Sequence, residues 1–341
     1  MALGLGHPPG MEKDRLLIVG VGSIGERHVR CFQSTGRCEI SICEPMEERR
    51  TDVAERYGVS SYGSLEDAIE SAEFDAALIA SPAPFHIPMA RQLAARGVNL
   101  LIEKPLSLSL DGIDELAALI GEKKLKVSVG FNFRSLPSMM EMQQAIASGR
   151  FGRPVQVNVM VGQNFPFYRP AYREIYYARH DMGGGAIQDM LPHQMNAAEW
   201  MVGPMTRVVA DARHCVLEGV DVEDTIHLIT RHEEVMGSFS LNQFQPPNEF
   251  VIKVNCERGA ARWSRLGHCW ESGEENGGEW KLQRSDELDR DDYYKLQAVR
   301  FLDHLHGLGP APCPLVDGLQ TLKSIMAVQE SVKTQKWVDV K

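Results

Sequence analysis

Arg15–Gln33 reads RLLIVGVGSIGERHVRCFQ: an apolar run of strand length feeds directly into glycines at 20, 22 and 25, and a helical period follows. G-x-G-x-x-G between a strand and a helix has a mechanical meaning. Gly20 lets the chain turn, Gly22 lets the backbone approach a pyrophosphate, and Gly25 lets the helix pack closely on the strand. The backbone of Gly22, Ser23, Ile24 and Gly25 then opens the helix toward an anion, aided by the partial positive charge of its N-terminus. A glycine triplet alone serves many turns that bind nothing, so the surrounding sequence has to decide.

A second strand-like run, Cys38–Cys43, ends at Glu44, 19 residues beyond the last glycine. An acid at about that distance is expected to hydrogen-bond the adenosine ribose. Its charge favours NAD, while Arg49 and Arg50, one or two helical turns on, would answer a 2′-phosphate and keep NADP open. Apolar runs at 75–80, 99–102 and 126–130 alternate with helical stretches at 86–96 and 112–123. That alternation predicts an α/β domain with a doubly wound parallel sheet. Ser64 and Ser109 read as helix start signals. Ser81-Pro82 and Glu103-Lys104-Pro105 fall at the carboxyl ends of strands, where such sheets bind ligands.

Later segments sharpen the reading. The chain reads SPAPFH from Ser81 to His86, EKP at Glu103–Pro105, GFNFR at Gly130–Arg134 and SGRFGRP at Ser148–Pro154. It then reads GGGAIQDMLPHQMNAAEWMVG from Gly183 to Gly203. In this order after a G-x-G-x-x-G turn, the segments resemble the Gfo/Idh/MocA oxidoreductases, and they span most of residues 15–205. The resemblance implies hydride transfer between a nicotinamide and the carbinol carbon of a sugar, cyclitol or sugar derivative. It further implies that Ser81, Pro82, His86, Glu103 and Lys104 line the coenzyme site, and that Lys104, Asp189 and His193 are the catalytic groups and touch substrate.

Spacing bears on the last assignment independently. Residues 189 and 193 are i and i+4, so on a helix both side chains share one face, with Ile187, Met190 and Leu191 on the buried side. Oxidising an alcohol requires a base within hydrogen-bond reach of the hydroxyl. His193 is the first choice, because an imidazole titrates near neutrality. Asp189 would bind substrate or bias the histidine, and Lys104 would hydrogen-bond the reacting oxygen, lower the alcohol pKa or itself carry the proton. Asn196 and Trp200 read as packing. Two departures from the family pattern stand out: Leu191 occupies the place where a glycine is more usual, and Pro192 directly precedes His193. Proline is tolerated in the first turn of a helix, which would start this helix later and put His193 in that turn.

From about Pro154 the stretches VQVNVMVG, RVVADARHCVL, DTIHLITRH, VMGSFSLNQF and EFVIKVNCE predict a C-terminal α+β domain with a largely antiparallel, open sheet. By the resemblance, one sheet face walls the active site and the other serves a homodimer or homotetramer. Before the GGG run lies NFPFYRPAYREIYYARHDM, long for a plain connection. Its Tyr168, Arg169, Tyr172 and Arg179 are candidate substrate contacts, since aromatic faces stack on sugar rings and arginines bind hydroxyls, carboxylates or phosphates.

The domain reading is therefore a leader at 1–13, a Rossmann domain at 14–135 and a substrate-binding domain at 136–341, with helices at 293–307 and 317–334 expected to return to the first domain. Lys and Arg number 36 against 46 Asp and Glu, a formal net charge of -10 without a basic block, which speaks against a nucleic-acid partner. Seven cysteines without C-x-x-C spacing point to a reducing, cytoplasmic setting. The histidines at 214, 227 and 232 show no metal-ligand spacing, so no metal is expected. No apolar run reaches membrane-spanning length. Two further function classes stay open: a redox-assisted glycosidase or lyase with tightly held NAD, and a non-catalytic dinucleotide or sugar sensor.

Overall fold

The structure is a computed structural model that describes residues 12–341; of the leader expectation, residues 1–11 lie outside the described residues. The chain divides into two compact units. The first holds the described residues up to Ser135 together with Asp289–Gly318, and the second holds Leu136–Leu288 and Leu319–Lys341. Of the two helices expected to return to the first domain, Arg290–Leu305 lies in the first unit, whereas Leu315–Thr334 belongs to the second from Leu319 onward.

In the first unit, β1 (Asp14–Val19), β2 (Cys38–Cys43), β3 (Ser60–Tyr62), β4 (Ala76–Ile79), β5 (Asn99–Ile102) and β6 (Val127–Val129) form one parallel sheet in the order β3-β2-β1-β4-β5-β6. Every residue of β4 and β6 is buried, as parallel strands covered on both faces require. The crossovers carry α1 (Ser23–Ser34), α2 (Glu47–Tyr57), α3 (Leu65–Ser71), α4 (His86–Ala95) and α5 (Ile113–Lys123). Ser64 caps α3 by accepting from the Asp67 N–H at 3.0 Å. Ser109 does not cap α5: its hydroxyl bonds Asp111, and the cap position is Gly112 in the left-handed region. The helix Arg290–Leu305 packs on α1 through Phe301 against Phe32 and through Asp291 to Arg27 and Arg30.

The second unit carries α6 (Pro137–Ala147), β7 (Pro154–Asn164), α7 (Phe165–Tyr168), α8 (Ala186–Asp189) and α9 (Leu191–Val202). It continues with β8 (Arg207–Arg213), β9 (Thr225–His232), β10 (Val235–Asn242), β11 (Phe244–Cys256), β12 (Ala260–Ser264), β13 (Cys269–Gly273) and β14 (Lys281–Ser285), and ends on β15 (Val338–Asp339). These strands form one open sheet in the order β14-β13-β12-β11-β7-β10-β9-β8-β15. Its ladders are antiparallel except that between β7 and β10. Strands β9 and β10 alternate buried and accessible residues, so one face is packed and the other accessible. Helix α9 lies against β7 and β11 on the packed face.

Candidate active site

In the first unit the glycine turn is built as its spacing requires. Gly20 sits at φ +83°, and a Cβ there would meet the Ser81 N at 2.9 Å. A Cβ on Gly25 would lie 1.8 Å from the Gly20 carbonyl oxygen, so α1 approaches β1 as only glycine permits. Among the described residues, a Cβ on Gly22 would meet nothing within 4 Å. Gly22 is the N-cap of α1 and supplies no side chain, so no cap side chain covers the N–H groups of the first turn. Open space at an uncapped helix N-terminus fits a dinucleotide's pyrophosphate.

Glu44 is buried, and each carboxylate oxygen accepts one backbone N–H, from Val21 and from Met46, both at 3.1 Å. A carboxylate offers about four lone-pair sites, so capacity remains for a ribose diol. Arg49 stands 3.6 Å from that carboxylate, while Arg50 donates to the Glu44 carbonyl oxygen. Ser81 lies against the Gly20 turn, and its hydroxyl is buried with no hydrogen-bond partner among the described residues; Pro82 beside it is exposed. His86 ties two loops together, with Nδ1 at 2.9 Å from the Pro105 carbonyl oxygen and Nε2 at 2.8 Å from that of Ser81. Burial pushes this ring below its ordinary value, and the two carbonyls only partly offset that. A neutral imidazole carries one N–H, so the ring donates to one of these two carbonyls and braces the Ser81 and Pro105 loops against each other.

Lys104 follows Glu103, whose buried carboxylate takes the Lys104 N–H at 3.0 Å and the Nε2 of His28 at 2.7 Å. Burial pushes the Glu103 carboxyl up, but the hydrogen bond and charge of His28 and the charge of Lys104 outweigh it, and the net direction is down. A Cβ on Gly130 would sit 3.0 Å from the Glu103 Cα, so glycine is needed there to admit the pair. His28 was not singled out in the sequence. Its signal is its place on the buried face of α1, three residues after Gly25.

In the second unit, Asp189 ends α8 and His193 lies in the first turn of α9, with Met190 between the two helices. One continuous helix through both residues is therefore corrected: Pro192 has no N–H to continue the ladder. Ile187, Met190 and Leu191 are buried, and Asn196, also buried, donates to the Thr321 hydroxyl at 3.0 Å.

The aromatic stretch before the glycines divides sharply. Tyr168 is exposed and Arg169 partly so. Tyr172 is corrected: it is buried with Phe165, Tyr177, Leu217, Val220 and Val222, its hydroxyl donating to the Glu218 carbonyl oxygen at 2.6 Å, which leaves no ring face for a sugar. Arg179 is exposed and paired with Asp181 at 2.6 Å. From this stretch Tyr176 reaches Asp189, its hydroxyl donating to Oδ1 at 2.7 Å. Among the described residues no group of three or more His, Cys, Asp and Glu side chains is arranged to hold a metal ion, and no helix is long and apolar enough to cross a membrane.

The family model described as an oxidoreductase family with an NAD-binding Rossmann fold matches residues 15–131, and the GFO/IDH/MocA C-terminal domain matches 139–262. The chain belongs to the Gfo/Idh/MocA family. The rhizopine catabolism protein MocA of Rhizobium meliloti is 29% identical over 194 residues, 57% of this chain and 58% of that protein. An inositol 2-dehydrogenase of Rhizobium meliloti (strain 1021) is 26% identical over 191 residues, 55% of each. The chain thus spans somewhat more than half the length of these family relatives. The WlbA dehydrogenase from Bordetella pertussis, solved in complex with NADH and UDP-GlcNAcA, shares the fold with a TM-score of 0.84 at 23% identity, over 98% of this chain and 99% of that one.

Proposed function

We propose that this member of the family is an NAD(P)-dependent oxidoreductase, with NAD as the preferred coenzyme, transferring a hydride between the nicotinamide and a carbinol carbon of a sugar, cyclitol or sugar derivative. The observation that carries the proposal is the open Gly22 turn at the uncapped start of α1 beside buried Glu44, a cradle for a dinucleotide in a chain of a dehydrogenase family. When bound, the coenzyme supplies the hydride acceptor or donor. Gly20, Gly22, Ser23, Ile24 and Gly25 would bind its pyrophosphate and Glu44 its ribose, with Ser81, Pro82, Glu103 and Lys104 at the neighbouring strand ends. His193 takes or returns the hydroxyl proton, Asp189 orients the hydroxyl or the imidazole, and Lys104 supplies positive charge to the reacting oxygen. Tyr168, Arg169 and Arg179 are the remaining candidates for contact with the sugar.

The protein is further proposed to be a cytoplasmic homo-oligomer. A groove of about 840 Å³ on the second unit's sheet is lined by Met160, Ile229 and Phe239 among others, and Met160, Ile229 and Met236 are about half exposed. Apolar surface of that kind suits a second copy. Light scattering on the purified protein checks the copy number, and a monomer at micromolar concentration rejects it.

Absorbance at 340 nm tests the reaction, with NAD⁺ and NADP⁺ each offered alongside aldoses, inositols, amino sugars, sugar acids and nucleotide sugars. A substrate-dependent rise with NAD⁺ is expected. Tight dinucleotide binding without reduction by any substrate would turn the same panel to product analysis, for a redox-assisted hydrolase or lyase, or to binding alone, for a sensor.

A further inference from the structure

Tyr176 stands at the start of the short turn Tyr176–Ala178, 13 residues before Asp189. Its neighbour Tyr177 is fully buried in the aromatic cluster with Phe165 and Tyr172, and its hydroxyl donates to the Gln243 side-chain oxygen. From the other side the Gly185 N–H donates to the Tyr177 carbonyl at 3.1 Å. A Cβ on Gly184 would lie 2.2 Å from that same carbonyl oxygen, so the returning chain is pressed against the turn. The start of α8 is held independently, since the Glu223 carboxylate accepts from the Ile187 N–H at 2.8 Å and its carbonyl from Ala186 at 3.0 Å. The turn that bears Tyr176 and the helix that bears Asp189 are therefore both pinned, and the phenol bridges them.

That bridge has a chemical consequence. A carboxylate rotates freely about its last bond unless one oxygen is engaged, and its two oxygens are otherwise equivalent. The Tyr176 hydroxyl engages Oδ1 at 2.7 Å, which restricts rotation of the group and distinguishes its two oxygens. We propose that Tyr176 is a positioning residue for the dehydrogenase reaction, holding the Asp189 carboxylate through Oδ1 in the orientation in which it acts on the substrate hydroxyl or the imidazole. The proposal rests on the function argued above. It concerns a residue that touches the reaction only through Asp189, and its ring is part exposed, so removing the hydroxyl leaves the fold in place.

The experiment is a double-mutant cycle on the full chain, with Tyr176→Phe, Asp189→Ala and the double variant assayed on the substrate found at 340 nm. Tyr176→Phe is expected to lower kcat about 10- to 100-fold, the range of a lost hydrogen bond to a charged group, with KM, NAD⁺ affinity and Tm little changed. In the Asp189→Ala background the same substitution is expected to change kcat less than about twofold, because no side-chain oxygen is left for the phenol to orient. A wild-type kcat in Tyr176→Phe overturns the positioning role, and so does an equal fold-loss in both backgrounds, which would show that Tyr176 acts apart from Asp189. A wild-type protein that reduces no nicotinamide with any substrate overturns the dehydrogenase reading itself, and this role with it.

Discussion

Gly22 and Gly25 are the same residue type three positions apart, yet the space around them assigns opposite reasons for being glycine. Gly22 has φ -65°, ordinary for any residue, and open space where its Cβ would be. Gly25 has a backbone oxygen 1.8 Å from that place. Gly25→Ala is expected to destabilise the protein by about 1–3 kcal/mol or more, since backbone must move to admit the methyl group. Gly22→Ala is expected to leave stability within about 0.5 kcal/mol of wild type while weakening dinucleotide binding, because the methyl would occupy the ligand's approach. Thermal melts and calorimetry with NAD⁺ check both; wild-type affinity in Gly22→Ala would mean that the pyrophosphate does not come close there. His193 is judged by rate instead. His193→Ala is expected to cut kcat by about two to four orders of magnitude with NAD⁺ affinity largely intact, and near-normal turnover would move the proton to Lys104.

At the scale of elements, the loop that precedes α8 carries its own titrating clasp. His180 donates to Glu223 at 2.7 Å, and that hydrogen bond, with the charges of Glu223 and Asp181 in support, raises the imidazole above its ordinary value although burial works against it. A raised value in the folded state gives stabilisation that is complete below the ordinary histidine value of 6.5 and lost as pH rises through the folded one. Amide exchange of residues 180–187, corrected for intrinsic rate, should therefore lose protection as pH climbs above 6.5, and His180→Gln should flatten the trend. The same trend in that variant would assign the effect elsewhere. How much of this region was legible in the sequence follows from the range of the forces involved. The strand, turn and first helix around Gly20–Gly25 obey local rules of glycine and apolar period, and the parallel sheet follows from their repetition. Tyr172 and Tyr176 are indistinguishable by such rules. Which one is buried depends on Leu217, Val220 and Val222, some 45 residues on, and which one bonds Asp189 depends on a turn closed by Gly184 and Gly185. Pro192 did carry a local signal, and the structure resolves it by ending one helix at Asp189 and starting another at Leu191.

At the scale of the whole molecule, the first unit is discontinuous in sequence, and this was the part least open to periodicity, because helix Arg290–Leu305 looks like any other amphipathic helix until its partners are known. Those partners are on α1: Asp291 takes Arg27 and Arg30, Phe301 meets Phe32, and the ring of Tyr294 stands 5.1 Å from that of His28, which bonds Glu103 beside Lys104. Helix α1, whose N-terminus faces the proposed dinucleotide site, is thus packed against residues more than 260 positions away in the chain. Dinucleotide at about 100 times its Kd adds roughly 2.7 kcal/mol to the stability of whatever unfolds together with the site. If the first unit unfolds as one body, amide exchange with saturating NAD⁺ should slow in peptides from Arg290–Leu305 as well as in those from β1 and α1, and Gly22→Asp, which puts a carboxylate where the pyrophosphate would lie, should abolish both effects together. Slowing confined to the glycine turn, with Arg290–Leu305 unchanged, would mean that the returning helix opens independently of the sheet it packs on, and that the first unit is cooperative only within its N-terminal segment.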